Sequence, residues 1–381
     1  MRRLIYLDNA ASTWPKPPGI ADAVKEAITD YGANPGRGSH QLAARAEQTI
    51  ANTRNRLSQL LGVRDPSNLL FCLNTTHAIN LALKGLLREG DHIILTGWEH
   101  NAVSRPVEWL KHQLHIEATL ISTAENEEWA GRVKQEIRSN TRLIVTIHGS
   151  NVTGNTLPIV DIGEVARKHR IYYLVDGAQT TGLLPINLNQ LPIDMFAFPG
   201  HKSLFGPQGT GGLYVSPHVP LEPIIQGGTG SRSEKLDHPA DRPLGFESGT
   251  PNTPGIAGLG AGVDFLLKTG VETVYQHEMK LINQLWEGLA RIEGINLLSP
   301  APPDLPILSF NIKDVDGIEV AAILDQHYQI AVRAGFHCAA LAHQSLGTDN
   351  RGAVRVSPGY FNTQKEMEQF LQAIRDISQV F

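Results

Sequence analysis

One lysine of the sequence lies in a setting that is unusual for a solvated cation. Lys202 follows the apolar run Phe196–Phe198 through Pro199-Gly200-His201 and precedes the glycine-rich segment Phe205–Gly212. A lysine in a partly dry site has a lowered pKa, and its neutral amine can form an imine with a carbonyl compound. The alternative, a surface lysine, fits poorly with the apolar run before Lys202 and the glycine-rich segment after it. We therefore take Lys202 as the leading candidate for a catalytic residue.

Two further candidates follow other apolar runs. Asp176 comes directly after Tyr172–Val175. A carboxylate there can pair with the protonated ring nitrogen of an aromatic cofactor, which makes the ring an electron sink. A helix N-cap is the alternative for Asp176. His100 lies in a loop after Ile94-Leu95 and can lie flat on such a ring, although a lone loop histidine is more often solvated.

Phosphate and substrate oxygens have candidate binding groups as well. Asn74-Thr75-Thr76 opens a predicted helix, where free backbone N–H groups, the helix dipole and two hydroxyls form a phosphate seat. Plain N-capping explains the same residues. Asn151 follows the run Leu143–Ile147 and is a candidate donor to a ligand oxygen, with an ordinary turn as the alternative.

An arginine and a cysteine near the C-terminus complete the set. Arg355 lies in the strand-like segment Ala353–Ser357, where a fixed guanidinium can bind a carboxylate through two hydrogen bonds. Cys338 ends the segment Arg333–Cys338 in a polar loop beside His337, a setting typical of a reactive thiol. An ordinary small residue is the alternative interpretation of Cys338.

The elements that must position these residues alternate between strands and helices. Apolar runs predict strands at Leu69–Leu73, His92–Leu95, Glu117–Ile121, Leu143–Ile147, Tyr172–Val175, Phe196–Phe198 and Gly211–Val215. Helical patterns lie between them, at His77–Leu87, Val103–Leu114 and Asp161–His169. This alternation predicts an α/β fold with a mostly parallel sheet, in which ligands bind at the carboxyl ends of the strands.

The pattern changes after about residue 255. One long helical region is predicted over Gly255–Ile292, and the segments that follow indicate a smaller α+β domain. These segments are Ile307–Ile312, Ile318–Gln326, Ala331–Arg333, Ala353–Val356 and Gln364–Val380. We predict a large cofactor-binding domain over residues 15–255 and a small domain over 256–381 that also takes up residues 1–14.

The composition argues against several functional classes. The 381 residues are 41% hydrophobic and carry a formal net charge of -5, which gives no support to a role on nucleic acid or on an anionic membrane. The apolar run Leu4–Leu7 is too short for a signal peptide, and no apolar stretch is long enough to span a bilayer. The two cysteines, Cys72 and Cys338, match no metal-ligand spacing, so we expect a reducing cytoplasm and no metal site.

The motifs together resemble those of one enzyme family. The pattern Asp-x-x-Gln at 176–179, followed by Gly-His-Lys-x-x-x-Gly-Pro-x-Gly at 200–209, is similar to that of class V fold-type I pyridoxal-phosphate enzymes. Within this group the match is closest to the cysteine desulfurase and selenocysteine lyase family. Other matching segments are Tyr6–Ala11, Asn34–His40, Phe246–Asn252 and Arg355–Asn362, so the resemblance covers essentially the whole chain.

The resemblance implies a cofactor, pyridoxal 5'-phosphate, and a residue for each part of it. Lys202 corresponds to the lysine that forms the Schiff base and shuttles protons, and Asp176 to the partner of the pyridine nitrogen. His100 corresponds to the histidine that stacks on the ring. The phosphate cradle corresponds to Thr75, Thr76 and His201.

Further positions are implied around the substrate and the neighbouring subunit. Gln179 and Asn151 correspond to groups around the phenolic oxygen of the cofactor and the substrate. Thr250 corresponds to a threonine that reaches the phosphate bound by the neighbouring subunit, which implies a homodimer with composite sites.

Three positions depart from the family pattern. Pro199 replaces a hydroxyl residue that commonly contacts the phosphate, so the comparison implies one phosphate hydrogen bond fewer. Gly36 occupies a place where many relatives carry histidine, and Phe336 replaces a histidine often found two residues before the cysteine. None of these changes removes a residue that the core mechanism requires.

The implied reaction removes sulfur from L-cysteine, releases L-alanine and leaves a persulfide on Cys338, with Arg355 holding the substrate carboxylate. The short segment between Cys338 and Gly347 resembles the branch whose turnover is aided by a sulfur-acceptor protein. L-Selenocysteine is an open alternative substrate, because selenocysteine lyases share all these residues. Two alternatives to a desulfurase or lyase stay open. The first is another class V aminotransferase or epimerase, and the second is a non-catalytic protein of this fold.

Overall fold

The computed structural model of the chain describes residues 4–36, 38–122, 128–299 and 302–380. Arg37, part of the segment Asn34–His40, lies outside the described residues. The strands are β1 (Ile5–Tyr6), β2 (Leu69–Cys72), β3 (His92–Thr96), β4 (Glu117–Ile121), β5 (Thr141–Ile147), β6 (Tyr172–Asp176), β7 (Met195–Pro199), β8 (Gly211–Val215), β9 (Ile295–Leu297), β10 (Leu308–Ile312), β11 (Ile330–Ala331), β12 (Arg333–Gly335) and β13 (Ala353–Val356).

The α-helices connect and cover these strands. They are α1 (Ile20–Thr29), α2 (Gln41–Leu61), α3 (Thr75–Leu86), α4 (Asn101–Gln113), α5 (Trp129–Gln135), α6 (Ile159–His169), α7 (Thr253–Thr269), α8 (Val271–Leu289), α9 (Gly317–Ile323), α10 (Ala340–Ser345) and α11 (Gln364–Val380). In the described part of the chain, no helix is both long enough and apolar enough to cross a membrane.

The large sheet of the described chain has seven strands in the order β2-β8-β7-β6-β5-β3-β4. Its strands β7, β6, β5, β3 and β4 are parallel, whereas β8 runs antiparallel to both of its neighbours. Strands β3, β6, β7 and β8 are almost wholly buried, as expected when helices cover both faces of the sheet. The predicted α/β class with a mostly parallel sheet is confirmed.

Two hydrophobic clusters fill the two faces of this sheet. One cluster holds side chains of α2, α6 and α7, and the other holds side chains of α3 and α4. Because β3, β4, β5, β6 and β7 are parallel, their carboxyl ends all lie at one edge of the large sheet. At this edge His100 follows β3, Asn151 follows β5, Asp176 ends β6 and Lys202 follows β7.

A second, antiparallel sheet has the order β12-β13-β10-β9 and packs its own core against α8 and α11. The N-terminal β1 pairs in parallel with β11, so the start of the chain adds to this part of the molecule. The helix α7 packs on α1 and α2, and its Leu259 and Val263 belong to the core beside the large sheet. The predicted domain boundary at residue 255 falls inside this helix, and the division into 15–255 and 256–381 stays a prediction.

Three predicted elements need correction. The single helical region Gly255–Ile292 is two helices, because Gly270 has a φ of 89°, which ends α7 before α8 begins. The single strand Ala331–Arg333 is divided between β11 and β12, which pair with different partners. The helix Ile318–Gln326 begins at Gly317 and passes into a π-helical turn over Leu324–Tyr328.

Candidate active site

A cavity of about 180 Å³ lies at the carboxyl edge of the large sheet. The lining includes nine of the residues that the sequence singled out: Thr75, Thr76, His100, Asn151, Asp176, Gln179, His201, Lys202 and Arg355. These residues come from the ends of different strands and from β13 of the second sheet, so folding brings together side chains up to 280 positions apart (355 − 75). The cavity is the natural candidate for a ligand site of this fold.

Lys202 and Asp176 carry the opposite charges of this cavity. Burial lowers the pKa of the Lys202 amine to about 8, and the nearby Arg355 acts in the same direction while Asp176 opposes it. Burial raises the pKa of the Asp176 carboxyl to about 6, although the N–H of Ala178, 2.9 Å from Oδ1, and the charge of Lys202 both favour the carboxylate. At neutral pH the amine is therefore partly neutral and the carboxyl is mainly ionised.

His100 caps the helix α4 and lines the cavity with its ring. Its Nδ1 accepts a hydrogen bond from the N–H of Ala102 at 3.0 Å. Burial lowers the pKa of His100 to about 3, with a smaller contribution from the charge of Lys202. The imidazole is therefore neutral, and Nε2 carries its proton.

The start of α3 forms a polar cradle at one end of the cavity. The side chain of Asn74 accepts a hydrogen bond from the N–H of His77 at 2.9 Å. The other N–H groups of the first helical turn have no intrahelical partner, as at every helix start. Thr75 and Thr76 place their hydroxyls at the same helix end. A side chain on Gly211 would come within 2.6 Å of the Phe198 carbonyl and 3.0 Å of Asn74 Cα, so glycine allows β8 to approach this cradle.

Gln179 and Asn151 are both buried, and each uses its amide nitrogen within the protein. The Nε2 of Gln179 donates to the Ala10 carbonyl at 3.1 Å. The Nδ2 of Asn151 donates to the His337 carbonyl at 2.7 Å. Asn151 was predicted to donate to a ligand oxygen, and this contact shows that one of its two N–H groups is already bound.

Arg355 is held rigidly at the boundary between the two sheets. Its side chain is 1% exposed, its Nη2 lies 2.8 Å from Asp8 Oδ1, and its Nη1 donates to the Asn151 carbonyl at 3.0 Å. Arg333 lies directly opposite Arg355 in the antiparallel pair of β12 and β13, and it also lines the cavity. Sequence reasoning noted Arg333 only as a neighbour of the cysteine, because the pairing register of the two strands cannot be read from spacing.

Cys338 lies in a strained turn beside the cavity. The φ angles of His337 and Cys338 are 49° and 57°, in the left-handed region that residues other than glycine seldom adopt. The carbonyl of Cys338 accepts a hydrogen bond from the N–H of Asn101 at 2.7 Å, and its Sγ lies 3.7 Å from Nη2 of Arg333. The thiol is exposed, so it is open to solvent and adjacent to a residue of the cavity wall. Cys72, by contrast, is buried in β2 as expected.

The structure places Gly36, Thr250, Phe336 and Cys338 outside the lining of this cavity. Thr250 is exposed and lines a separate cleft. Gly36 lines another groove, formed with the loop 226–239. Pro199 ends β7 and lines the cavity without an N–H to offer, and Phe336 is exposed with its ring edge against His343. His337 lines the cavity as well, a position that sequence reasoning did not assign to it.

Comparison with known proteins assigns the chain to a family. The sequence pattern described as "Aminotransferase class-V" matches residues 5–370. The chain belongs to the class V aminotransferase family. Its similar relatives in that family are named as cysteine desulfurases, so the resemblance stated from the motifs is confirmed.

Three relatives illustrate how complete the similarity is. A "Probable cysteine desulfurase" of Methanothermobacter thermautotrophicus is 34% identical over 99% of this chain and 96% of its own length. A "Cysteine desulfurase" of Salmonella agona is 33% identical over 98% of this chain and 93% of its own. The solved apo structure of the cysteine desulfurase from Thermococcus onnurineus superimposes with a TM-score of 0.93 at 30% identity, covering 99% of this chain and 95% of that one. The fold-type I architecture is confirmed.

The class V aminotransferases are pyridoxal-phosphate enzymes, and the cavity fits that cofactor. Its wall offers an amine of lowered pKa, a buried carboxylate for a ring nitrogen, and a helix N-terminus for a phosphate. Buried polar atoms of the wall that have no hydrogen-bond partner among the described residues are Thr75 Oγ1, Asn151 Oδ1, His201 Nδ1, His337 Nδ1 and Arg355 Nε. Buried polar atoms of folded proteins are normally paired, so this set indicates a polar ligand.

Proposed function

We propose that the protein is a cysteine desulfurase, which takes the sulfur of L-cysteine onto Cys338 and releases L-alanine. The observation that carries this proposal is the position of Cys338. Its exposed thiol lies 3.7 Å from Nη2 of Arg333, and Arg333 lines the cavity that also holds Lys202 and Asp176. An amino-group transfer would have no use for a thiol at this place. The names of the similar relatives support the same reaction.

The residues that would hold the cofactor divide by the part they contact. Asp176 would pair with the ring nitrogen, His100 would stack on the ring, and Gln179 would lie near the phenolic oxygen. Thr75, Thr76 and His201 would bind the phosphate at the start of α3. When bound, pyridoxal phosphate supplies a carbonyl group for imine chemistry and a ring that accepts electrons from the substrate's α-carbon.

Lys202 and Arg355 would act on the amino-acid end of the substrate. Arg355 would bind the α-carboxylate, since its Nε is unpaired within the described residues and Asp8 fixes the guanidinium in place. Lys202 Nζ would take the α-proton, which requires the neutral amine. Burial supplies that form by lowering the pKa of Lys202 to about 8. Asn151 Oδ1 is a further buried polar atom of the same wall that has no partner within the described residues.

Cys338 would take the sulfur atom. Its thiolate attacks the substrate sulfur, the bond between that sulfur and the β-carbon breaks, and a persulfide forms on Cys338. The net exchange is Cys338–SH plus L-cysteine giving Cys338–S–SH plus L-alanine, so the sulfur is oxidised as the β-carbon is reduced. Nη2 of Arg333 lies 3.7 Å from Sγ, so a guanidinium stands beside the sulfur that would make the attack.

The assembly and the partners of the enzyme follow as further parts of the proposal. Thr250 is exposed and outside its own subunit's cavity, which suits a residue that reaches the phosphate of a neighbouring subunit in a homodimer. The short segment between Cys338 and Gly347 and the exposure of the thiol suit transfer of sulfur to an acceptor protein. An exposed free thiol also suits the reducing cytoplasm.

The test measures alanine and sulfide released from L-cysteine in the presence of a thiol reductant, with wild type compared with Cys338→Ala. Matched amounts of the two products from wild type, lost in the variant while the visible absorbance of the cofactor stays, support the proposal. Equal yields from both proteins, or no alanine from L-cysteine, overturn it. The matched control is Cys72→Ala, which changes the other, buried cysteine and should keep full activity. L-Selenocysteine is the alternative substrate in the same assay.

A further inference from the structure

His337 has a defined protonation pattern in the cavity wall. The residue is 3% exposed, and its Nε2 lies 3.1 Å from the carbonyl oxygen of Ala353. A carbonyl only accepts, so Nε2 carries the proton and Nδ1 keeps a lone pair. That Nδ1 is buried, has no partner in the described part of the chain, and belongs to a ring that lines the cavity.

The charges around His337 keep it in this form. Burial lowers its pKa to about 2, and the positive charges of Arg355 and Arg333 act in the same direction, against the carbonyl of Ala353, which favours the protonated ring. The imidazole therefore stays neutral throughout the working range of an enzyme. Its Nδ1 can accept a hydrogen bond from a ligand but cannot offer one.

The position of His337 determines which part of the substrate it meets. In the proposed reaction the carboxylate of the amino acid is held by Arg355 and its sulfur must reach the Cys338 turn. The backbone of that turn is fixed, because Asn151 binds the His337 carbonyl and Asn101 binds the Cys338 carbonyl, both at 2.7 Å. A residue adjacent to Cys338 that lines the cavity therefore faces the sulfur end of the substrate.

We propose that His337 is a specificity-determining residue whose Nδ1 accepts the S–H of L-cysteine and thereby favours a thiol over a selenolate. The inference rests on the proposed function and deepens it. The hydrogen bond orients the substrate sulfur toward Cys338, and no proton is transferred, because the S–H proton stays on the sulfur that becomes the persulfide. A selenol is a much stronger acid than a thiol. L-Selenocysteine is therefore ionised at neutral pH and presents only lone pairs to the lone pair of Nδ1.

Two substitutions at this position separate the acceptor from the rest of the ring. His337→Gln keeps a donor near the place of Nε2 for the Ala353 carbonyl and removes the acceptor at Nδ1. His337→Asn places an amide oxygen near Nδ1 and keeps the acceptor. His343→Gln is the matched control, because His343 is also buried and lies 5.8 Å away, ring centre to ring centre, yet does not line the cavity.

The experiment compares kcat/KM for L-cysteine and L-selenocysteine in these variants. In His337→Gln we expect kcat/KM for L-cysteine to fall about threefold, the effect of one lost hydrogen bond from a weak S–H donor, with little change for L-selenocysteine. His337→Asn should retain most of the preference, and His343→Gln all of it. A parallel fall for both substrates in His337→Gln, an unchanged preference, or the same change in His343→Gln overturns the inference.

A binding measurement keeps the inference testable if His337→Gln does not fold. In Cys338→Ala, which retains His337, the visible absorbance of the bound cofactor reports the affinity for L-cysteine and for L-2-aminobutyrate, which has a methyl group in place of the thiol. Preference for L-cysteine supports the inference, and equal affinities contradict it. If the wild-type enzyme releases alanine from L-cysteine, but its preference between L-cysteine and L-selenocysteine does not depend on His337, only this inference is refuted. Release of no alanine refutes the proposed function, and the inference with it.

Discussion

At the scale of single residues, the cavity is built from groups whose protonation is set by burial. Desolvation moves Lys202 toward the neutral amine and His100 toward the neutral imidazole. It also raises the pKa of Asp176, but the Ala178 N–H and Lys202 oppose that rise and keep the carboxylate. The result is a basic amine and an anionic carboxylate in one site at neutral pH. Proton transfer and cofactor pairing both need that combination.

The lowered pKa of Lys202 predicts the pH dependence of cofactor capture. The neutral amine is the reactive form, so the rate at which the apoenzyme takes up pyridoxal phosphate should rise with pH and level off above about 8. The measurement is the appearance of cofactor absorbance after mixing, between pH 6 and 10. Because Asp176 raises the pKa of Lys202, Asp176→Asn should move the midpoint to lower pH. A rise that continues to pH 10 without levelling off, as for a lysine with the ordinary pKa of 10.5, would contradict the account.

The candidate site was more accessible to sequence reasoning at some residues than at others. Lys202 and Asp176 were found because they lie at or shortly after the ends of apolar strands, whose carboxyl ends meet at one edge. Arg333 and His337 were not identified as cavity residues, because their positions depend on the register between β12 and β13 and on a left-handed turn. Neither the register nor the turn has a signature in the spacing of residues.

At the scale of elements, the strands of the large sheet were the most predictable part of the fold. The run Gly211–Val215 matches β8 from end to end, because buried strands are short and apolar. The run Glu117–Ile121 also matches β4, although only Ile121 of that strand is buried. The 21-residue helix α2 was not predicted. It has a polar sequence and buries only scattered residues, such as Leu57 and Leu61, so its pattern is weak. Gly270 lies within an otherwise continuous helical pattern, and only its backbone geometry separates α7 from α8.

The close contact between β8 and the start of α3 predicts the effect of a single methyl group. Gly211→Ala would bring Cβ within 2.6 Å of the Phe198 carbonyl and must move the cradle at Asn74. We expect the dissociation constant for pyridoxal phosphate to rise at least about tenfold, since a small shift of the N–H groups weakens phosphate binding. The check is titration of the apoenzyme with the cofactor.

Gly227→Ala is the control for this experiment, because its added Cβ would lie 3.8 Å from the nearest atom, Ser248 Cβ. It should bind the cofactor as wild type does. An unchanged dissociation constant in Gly211→Ala would show that the approach of β8 does not shape the cradle.

At the scale of the whole molecule, a buried carboxyl links the two parts of the chain. Glu278 lies in α8, is 4% exposed, and accepts a hydrogen bond from the N–H of Tyr360. The rings of Tyr360 and Phe361 pack against the core of the large sheet. Burial raises the pKa of Glu278 to about 8 from an ordinary value of 4.5. The folded state therefore prefers the protonated form.

This preference predicts a pH-dependent stability. Because the pKa of Glu278 is raised in the folded state, its contribution to the free energy of unfolding is fully present below pH 4.5. This contribution is lost as the pH rises through about 8. Glu278→Gln carries no such proton, so its Tm should fall less than that of wild type between pH 5 and 9, by a few degrees. Glu287→Gln, an exposed glutamate of the same helix, should behave as wild type. Parallel Tm profiles for Glu278→Gln and wild type would contradict the prediction.

The central claim, that Cys338 receives the sulfur of the substrate, is tested most directly by the mass of the peptide that contains it. The holoenzyme is mixed with L-cysteine without reductant, stopped with an alkylating agent, digested and analysed by mass spectrometry. The account predicts that the alkylated Cys338 peptide gains one sulfur atom, in an amount matching the alanine released in the first turnover, while the Cys72 peptide does not. Alanine release with no added sulfur on Cys338 would contradict it.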